Sequence, residues 1–297
     1  MEPVGSTPSA ARLIINADDF GISRGVNIGI VEAAEAGVVT SASVITNLPD
    51  FQDAIDRARS CPALSLGVHL NLTTGRPISD VPSLTHRDSG EFYALTALVA
   101  RASFGLVESA DVTRECLAQI DRMIEAGVQP THLDSHRHVH AHPAIFPAVA
   151  KAAAARGIFQ VRVPCESLEI NPGDWRATLK KTGLLFCTRL SGRSWASRGN
   201  KFAGISLQGG RVFAERLFSL IQELPPGTTE LMTHPGYADA SLADHDSYTL
   251  ERVTELRVLC SREFQTALER SGVTLTTFRD RRRIPTPHDQ VAQHHQP

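Results

Sequence analysis

The chain has 297 residues, 42% of them hydrophobic, which is enough to bury one large core without division into several domains. Its 30 basic and 32 acidic residues nearly balance, so the charge gives no reason to expect nucleic acid as a partner. Five scattered cysteines without a C-x-x-C pair argue against a disulfide framework or a thiolate zinc site, and they favour a reducing cytoplasm.

The first residues form a short polar leader with neither an apolar signal core nor a cleavage pattern, so we do not expect secretion. After the leader, short β-branched and aliphatic runs alternate with longer segments of helical period, which is typical of βα units around a parallel sheet. No uncharged apolar stretch approaches the roughly 20 residues of a transmembrane helix. The predicted strands, in chain order, are 12–17, 41–45, 65–69, 131–134, 159–163, 230–233 and 274–278.

Helices are predicted between these strands at 24–36, 112–126, 143–156 and 248–270. The first two end at Gly37 and Gly127, and the third starts with Pro143 and ends at Gly157, all placements that helix termini favour. About seven βα units without a glycine-rich phosphate loop predict an α/β fold, a closed or distorted (β/α) TIM-like barrel rather than an open nucleotide-binding sheet. Functional side chains should then lie where the strands end.

Two regions depart from the alternation. Residues 175–212 contain eight basic residues and no acidic one, together with six glycines, and are interpreted as an inserted basic loop or lid. Residues 279–297 are polar and lack periodicity, so a disordered tail is predicted there. Residues 1–278 are accordingly predicted to form a single catalytic domain.

The first strand runs directly into the motif NADDFG, which places Asp18 and Asp19 at the end of an apolar strand. Buried carboxylates are costly without a partner, and a metal ion would offset that cost. Because neighbouring side chains on an extended strand point in opposite directions, one carboxylate could bind a metal while the other accepts a proton. The alternative is that one of them caps the following helix.

Histidines follow two later strands. His69 ends the third strand within GVHLNL, where it could equally be a hydrogen-bonded core residue. The segment THLDSHRHVHAHP contains five histidines, a metal-binding pattern that does not by itself identify the ligands, and whose alternative is a solvated loop. One carboxylate and two histidines would leave coordination positions open, as a catalytic metal requires.

A fourth motif, THPGY, follows the strand at 230–233 and should reach the same edge of the barrel. Proline and glycine predict a fixed turn around His234. A histidine there could donate a proton to a leaving amine, because its ordinary pKa is near neutrality, or it could be structural.

These four motifs, in this order along nearly the whole chain, resemble the YdjC-like family of carbohydrate deacetylases. The resemblance implies a barrel similar to that of polysaccharide deacetylases and a single Mg²⁺ or Zn²⁺ ion. Position by position, it implies Asp19, His69 and His136 as ligands, Asp18 as the base and His234 as the acid. The substrate it implies is an amino sugar that loses its N-acetyl group to water.

Several expectations stay open at this point. Arg162 could orient Asp18 or form a structural ion pair, and His138 and His140 could support the metal ligands from behind. The basic segment suggests a lipid-linked amino sugar and peripheral membrane contact, with Trp175 and Trp195 against sugar or lipid.

A metal-dependent phosphohydrolase and a non-catalytic sugar-binding protein are the competing functions. For the protein itself we expect a homodimer in the cytoplasm.

Overall fold

The sheet is entirely parallel in the computed structural model, which describes residues 11–166, 175–190, 200–208 and 212–281. Within these residues its strands follow the order β4-β3-β2-β1-β6-β5, and β7 pairs with β1. The strands are β1 Ala11–Phe20, β2 Ser41–Val44, β3 Ser65–Leu70, β4 Leu133–Ser135, β5 Asn200–Ala203, β6 Gly227–Thr233 and β7 Thr274–Leu275.

Helices connect these strands, as expected for βα units. None of the described helices is long and apolar enough to cross a membrane. They are α1 Arg24–Glu35, α2 Phe51–Ala58, α3 Leu95–Ser103, α4 Ser109–Glu125, α5 Phe146–Ala155, α6 Trp175–Leu190, α7 Phe213–Gln222, α8 Ala240–His245, α9 Leu250–Leu259, α10 Arg262–Ser271 and α11 Phe278–Arg281, with a 3-10 segment at His136–Ala141.

Strand β1 lies near the centre of the sheet and pairs with three other strands. β6 pairs with β1 from Ala11 to Ala17, whereas β2 joins the other edge only from Asn16 onwards. The first part of that edge pairs with β7 at Arg12 and Leu13. Two strands therefore share one edge of β1. The predicted α/β fold with a distorted barrel is confirmed.

Alternation along β1 separates the hydrophobic core from the polar interior. Leu13 and Ile15 belong to the main core, together with side chains from the surrounding helices. Asn16 lies on the other face and donates a hydrogen bond to Asp18, two residues further on. The polar residues near the end of β1 therefore point towards the inside of the barrel.

Three predicted elements differ in kind from those observed, and the helix predicted to start at Pro143 begins at Phe146. The strand at 159–163 reduces to one bridge between Val161 and Leu133, beyond β4. The strand at 274–278 is only two residues long, because Phe278 already starts α11. The long helix at 248–270 is two helices, because the hydroxyl of Ser261 accepts from the backbone of Phe264 and starts α10.

The basic segment at 175–212 is not simply an inserted loop. It contains helix α6 and also strand β5, which pairs with β6 as part of the main sheet. Phe202 and Ala203 are buried although the surrounding sequence is basic. Trp195 and the tail from residue 282 lie outside the described residues, whereas Arg279 belongs to α11 and donates hydrogen bonds to the carbonyls of Pro62 and Leu64.

Candidate active site

The end of β1 is irregular where it carries the paired aspartates. Its register against β2 shifts between Ala17 and Phe20, and Asp19 has a left-handed backbone with φ of 67°. Asp and Asn tolerate this conformation better than most residues with a side chain. Simple alternation is therefore lost, and the expectation that Asp18 and Asp19 point in opposite directions is wrong. Both carboxylates are buried in the same polar cluster.

Asp19, His69 and His136 converge at the centre of this cluster. One oxygen of Asp19, Oδ1, lies 3.1 Å from Nε2 of His69 and 2.8 Å from Nδ1 of His136. All three residues are at most 3% exposed. The three residues lie at the carboxyl ends of β1, β3 and β4. Because these strands are parallel, their carboxyl ends lie at the same edge of the sheet.

The other nitrogen of His69 is held from β4. Strand pairing places His69 opposite Asp134, and Nδ1 of the ring lies 2.7 Å from Oδ1 of that carboxylate. Ser43 also contacts Nδ1, at 3.1 Å. Burial alone would lower the pKa of His69, but the charges of Asp134 and Asp18 and the hydrogen bonds to the ring raise it to about 10.

The donor set fits a divalent metal ion. With Nδ1 of His69 directed at Asp134, its Nε2 faces an oxygen of Asp19 in a buried space. Two lone pairs cannot face each other there without a cation, either a proton or a metal, between them. One carboxylate oxygen and two imidazole nitrogens are a typical donor set for a catalytic zinc site. Asp18, His69 and Asp134 form a second, overlapping group of donors.

Arg162, which follows the bridge between Val161 and β4, fixes Asp18. Its two terminal nitrogens contact the two oxygens of Asp18 at 2.5 and 2.6 Å, and the same guanidinium contacts Asp134 and Glu230. Burial would raise the pKa of Asp18, but the charge and hydrogen bonds of Arg162 hold it far below its usual range. Asp18 is therefore a carboxylate in a fixed orientation.

The two further histidines of the run lie behind this cluster. His140 is fully buried, with Nδ1 against the hydroxyl of Ser135 and Nε2 3.0 Å from the backbone oxygen of Arg162. His138 is buried with a left-handed backbone, and its ring meets the ring of Phe202 edge-on. These contacts are with Ser135, Arg162 and Phe202, and a supporting role of the two histidines for the metal ligands stays a prediction.

His234 reaches the same cluster from β6. Pairing of Thr233 with Ala17 brings His234 alongside Asp18. The backbone N–H of His234 donates to Glu255 at 2.6 Å, and its ring packs edge-on against Tyr248. Nδ1 has no hydrogen-bond partner among the described residues and lies 4.0 Å from Glu255. Burial lowers the pKa of His234 to about 4.

The turn that carries His234 depends on close packing against α1. A Cβ atom on Gly29 would lie 2.6 Å from the Cα of Gly236, which is backbone and cannot move freely. We expect Gly29→Ala to lower the free energy of unfolding by about 1–3 kcal/mol, as overpacking does. Chemical denaturation measures the change. Gly183→Ala, in open space within α6, is the control and should not destabilise the protein.

Several residues of the cluster were not predicted from the sequence. Asp134 lies inside the histidine run, where it interrupts the alternation, and that interruption was the available signal. Arg252, Asp246 and Glu255 come from α9 and the segment before it, where nothing in the local pattern indicates a contact with β1. Arg252 is fully buried and contacts the second oxygen of Asp19 at 2.6 Å.

Comparison with known proteins shows which family the chain resembles. The sequence model of the family described as YdjC-like protein matches residues 12–270. A Geobacillus stearothermophilus protein named carbohydrate deacetylase is 36% identical over 273 residues, 90% of this chain and 96% of that protein. A Salmonella typhimurium protein named chitooligosaccharide deacetylase is 35% identical over 269 residues, 90% of this chain and 98% of that protein.

A solved structure extends the comparison to the fold. An Enterococcus faecalis protein, provisionally described as a cellobiose-phosphate cleavage protein, is 26% identical to this chain and has a TM-score of 0.72. The match covers 92% of this chain and 99% of that one. The family match, the relatives and the fold each extend over most of the chain, and the chain belongs to the YdjC-like family.

Proposed function

We propose that this protein is a metal-dependent carbohydrate N-deacetylase, which hydrolyses the N-acetyl group of a substrate containing N-acetylglucosamine. The convergence of Asp19, His69 and His136 is the observation that carries the proposal, because these buried donors fit a divalent ion next to the carboxylate of Asp18. The names of the relatives support an amide of a sugar as the substrate.

Asp19, His69 and His136 would hold the ion. Two imidazole nitrogens favour Zn²⁺, although Mg²⁺ fits if water completes its shell. When bound, such an ion supplies Lewis-acid chemistry, polarising a carbonyl oxygen and making a water molecule more acidic. Asp134 holds His69 with Nε2 towards this position, and burial of all four side chains keeps the donors in place.

Asp18 is the proposed base. The two contacts from Arg162 fix the plane of its carboxylate and keep it ionised, so it can accept a proton from the attacking water. Attack adds the water oxygen to the acetamide carbon, and cleavage of the C–N bond then releases acetate and the sugar amine. That departing nitrogen must gain a proton.

His234 is the proposed donor of that proton. Because burial lowers the pKa of its ring, His234 is neutral in the free protein and must first take up the proton that the attacking water loses. Its Nδ1 lies in the cluster with Glu255 4.0 Å away, and the turn around it is anchored by the backbone hydrogen bond to the same carboxylate. His140 contacts the backbone oxygen of Arg162, and His138 lies in the same 3-10 segment as His140. We propose that both support the metal ligands.

His234→Gln should lower kcat by about 100-fold, because glutamine keeps a polar side chain but cannot transfer a proton. KM should change little, since the proton is needed only as the C–N bond breaks. Steady-state acetate release measures both values. A kcat within threefold of wild type would remove His234 from the proposed role.

The reaction class is tested by a substrate panel. Acetate release from diacetylchitobiose and from N-acetylglucosamine conjugates, including lipid-linked ones, should exceed phosphate release from p-nitrophenyl phosphate. Preference for the phosphate ester would favour the phosphohydrolase instead, and sugar binding without any hydrolysis would favour a binding protein. The lipid-linked substrate, the cytoplasmic location and the homodimer stay predictions.

A further inference from the structure

The two oxygens of Asp19 have different partners. Oδ1 faces His69 and His136, whereas Oδ2 accepts a hydrogen bond of 2.6 Å from Nη2 of Arg252. Arg252 is fully buried at the start of α9. A carboxylate whose second oxygen is occupied by a guanidinium presents only one oxygen to a metal ion.

Arg252 is itself held in place by neighbouring groups. The same Nη2 contacts Oδ2 of Asp246 at 2.7 Å, and Nε donates to the backbone oxygen of Tyr248 at 2.7 Å. Asp246 also pairs through Oδ1 with Arg137 at 2.8 Å. The guanidinium therefore cannot rotate away from Asp19 without breaking two further contacts.

The charges of this group nearly balance. Asp246 offsets Arg252, so the arginine adds little net repulsion to a cation held by Asp19. If Arg252 were replaced, Asp246 would keep Arg137 as a partner. The main consequence of losing Arg252 is then a freed carboxylate oxygen on Asp19 rather than an unpaired acid at Asp246.

We infer that Arg252, anchored by Asp246, is a positioning residue that keeps Asp19 a one-oxygen ligand and thereby sets the affinity and coordination number of the metal site. This inference rests on the proposed function, since it assumes that Asp19 binds the metal. Ligating carboxylates are commonly held in this way by a hydrogen bond from behind, and loss of such a partner weakens metal binding.

The experiment titrates metal-stripped protein with Zn²⁺ by calorimetry and with Co²⁺ by visible absorption. Wild type, Arg252→Met and Asp246→Asn are compared, with Arg156→Met as the matched control. Arg156 also pairs with an aspartate, Asp121, but between α4 and α5. Circular dichroism and thermal unfolding establish that each variant is folded at the titration temperature.

Arg252→Met and Asp246→Asn should each bind Zn²⁺ about 10-fold more weakly than wild type. Arg252→Met should also give a weaker Co²⁺ absorption band, because a second oxygen of Asp19 raises the coordination number. Arg156→Met should match wild type in both measurements.

An unchanged or tighter Zn²⁺ affinity in folded Arg252→Met, with an unchanged Co²⁺ spectrum, would overturn the inference and leave the deacetylase proposal standing. Failure of wild type to bind either metal would overturn the metal site, and the inference with it.

Discussion

Asp18→Asn is expected to lower deacetylation by roughly 10³-fold while the metal stays bound, within the range measured for loss of a general base. Asparagine has nearly the same shape but cannot accept a proton from water. Asp19, His69 and His136 are unchanged, so metal uptake should be retained. The measurement combines kcat for acetate release with metal content determined on the same sample.

The control for this variant is Asp121→Asn. Asp121 also forms a two-nitrogen ion pair with an arginine, Arg156, but lies outside the cluster. Its replacement should leave kcat unchanged. Full turnover by metal-loaded Asp18→Asn would contradict the assignment of the base, whereas loss of metal from that variant would show that Asp18 also supports the ligands.

His69→Ala and His136→Ala are expected to abolish metal binding at the concentrations used in the assay. Each removes one of the three convergent donors, and loss of partners beyond the ligands already costs about 10–100-fold in affinity. The metal affinity of either variant is therefore expected to fall by more than roughly 100-fold. Elemental analysis after dialysis measures it, and deacetylation should fall in parallel.

His142→Ala provides the matched control, because it lies in the same histidine run but contacts Ser103 on α3 instead of the cluster. It should keep one equivalent of metal. If either His69→Ala or His136→Ala also kept its metal, the proposed ligand set would be wrong.

The sequence was most informative where chemistry coincides with strand ends. Parallel strands bring their carboxyl ends to one edge, so the aspartate pair, His69 and the histidine run could be expected to meet although they are far apart in the chain. The family resemblance alone singled out Asp19 and His136 within these motifs. Strand β5 could not be found in the same way, because the basic residues around Phe202 conceal a short buried run. The break before α10 depends on one capping residue, Ser261. The helical period continues across that residue, so the sequence predicted a single helix.

The geometry around Asp19 shows what a local pattern omits. Period-two alternation assumes a regular strand. Here a register shift and the left-handed backbone of Asp19 direct both aspartates into one cluster. Arg252 contacts Asp19 across 233 positions of chain. Such a contact follows from the packing of α9 against α1, which no motif encodes.

Acetate release from diacetylchitobiose by metal-stripped protein, before and after addition of one equivalent of Zn²⁺ or Mg²⁺, tests the central claim most directly. We predict no release without metal and recovery of turnover when one equivalent is bound. Equal acetate release by the stripped and the reloaded protein would contradict a metal-dependent deacetylase.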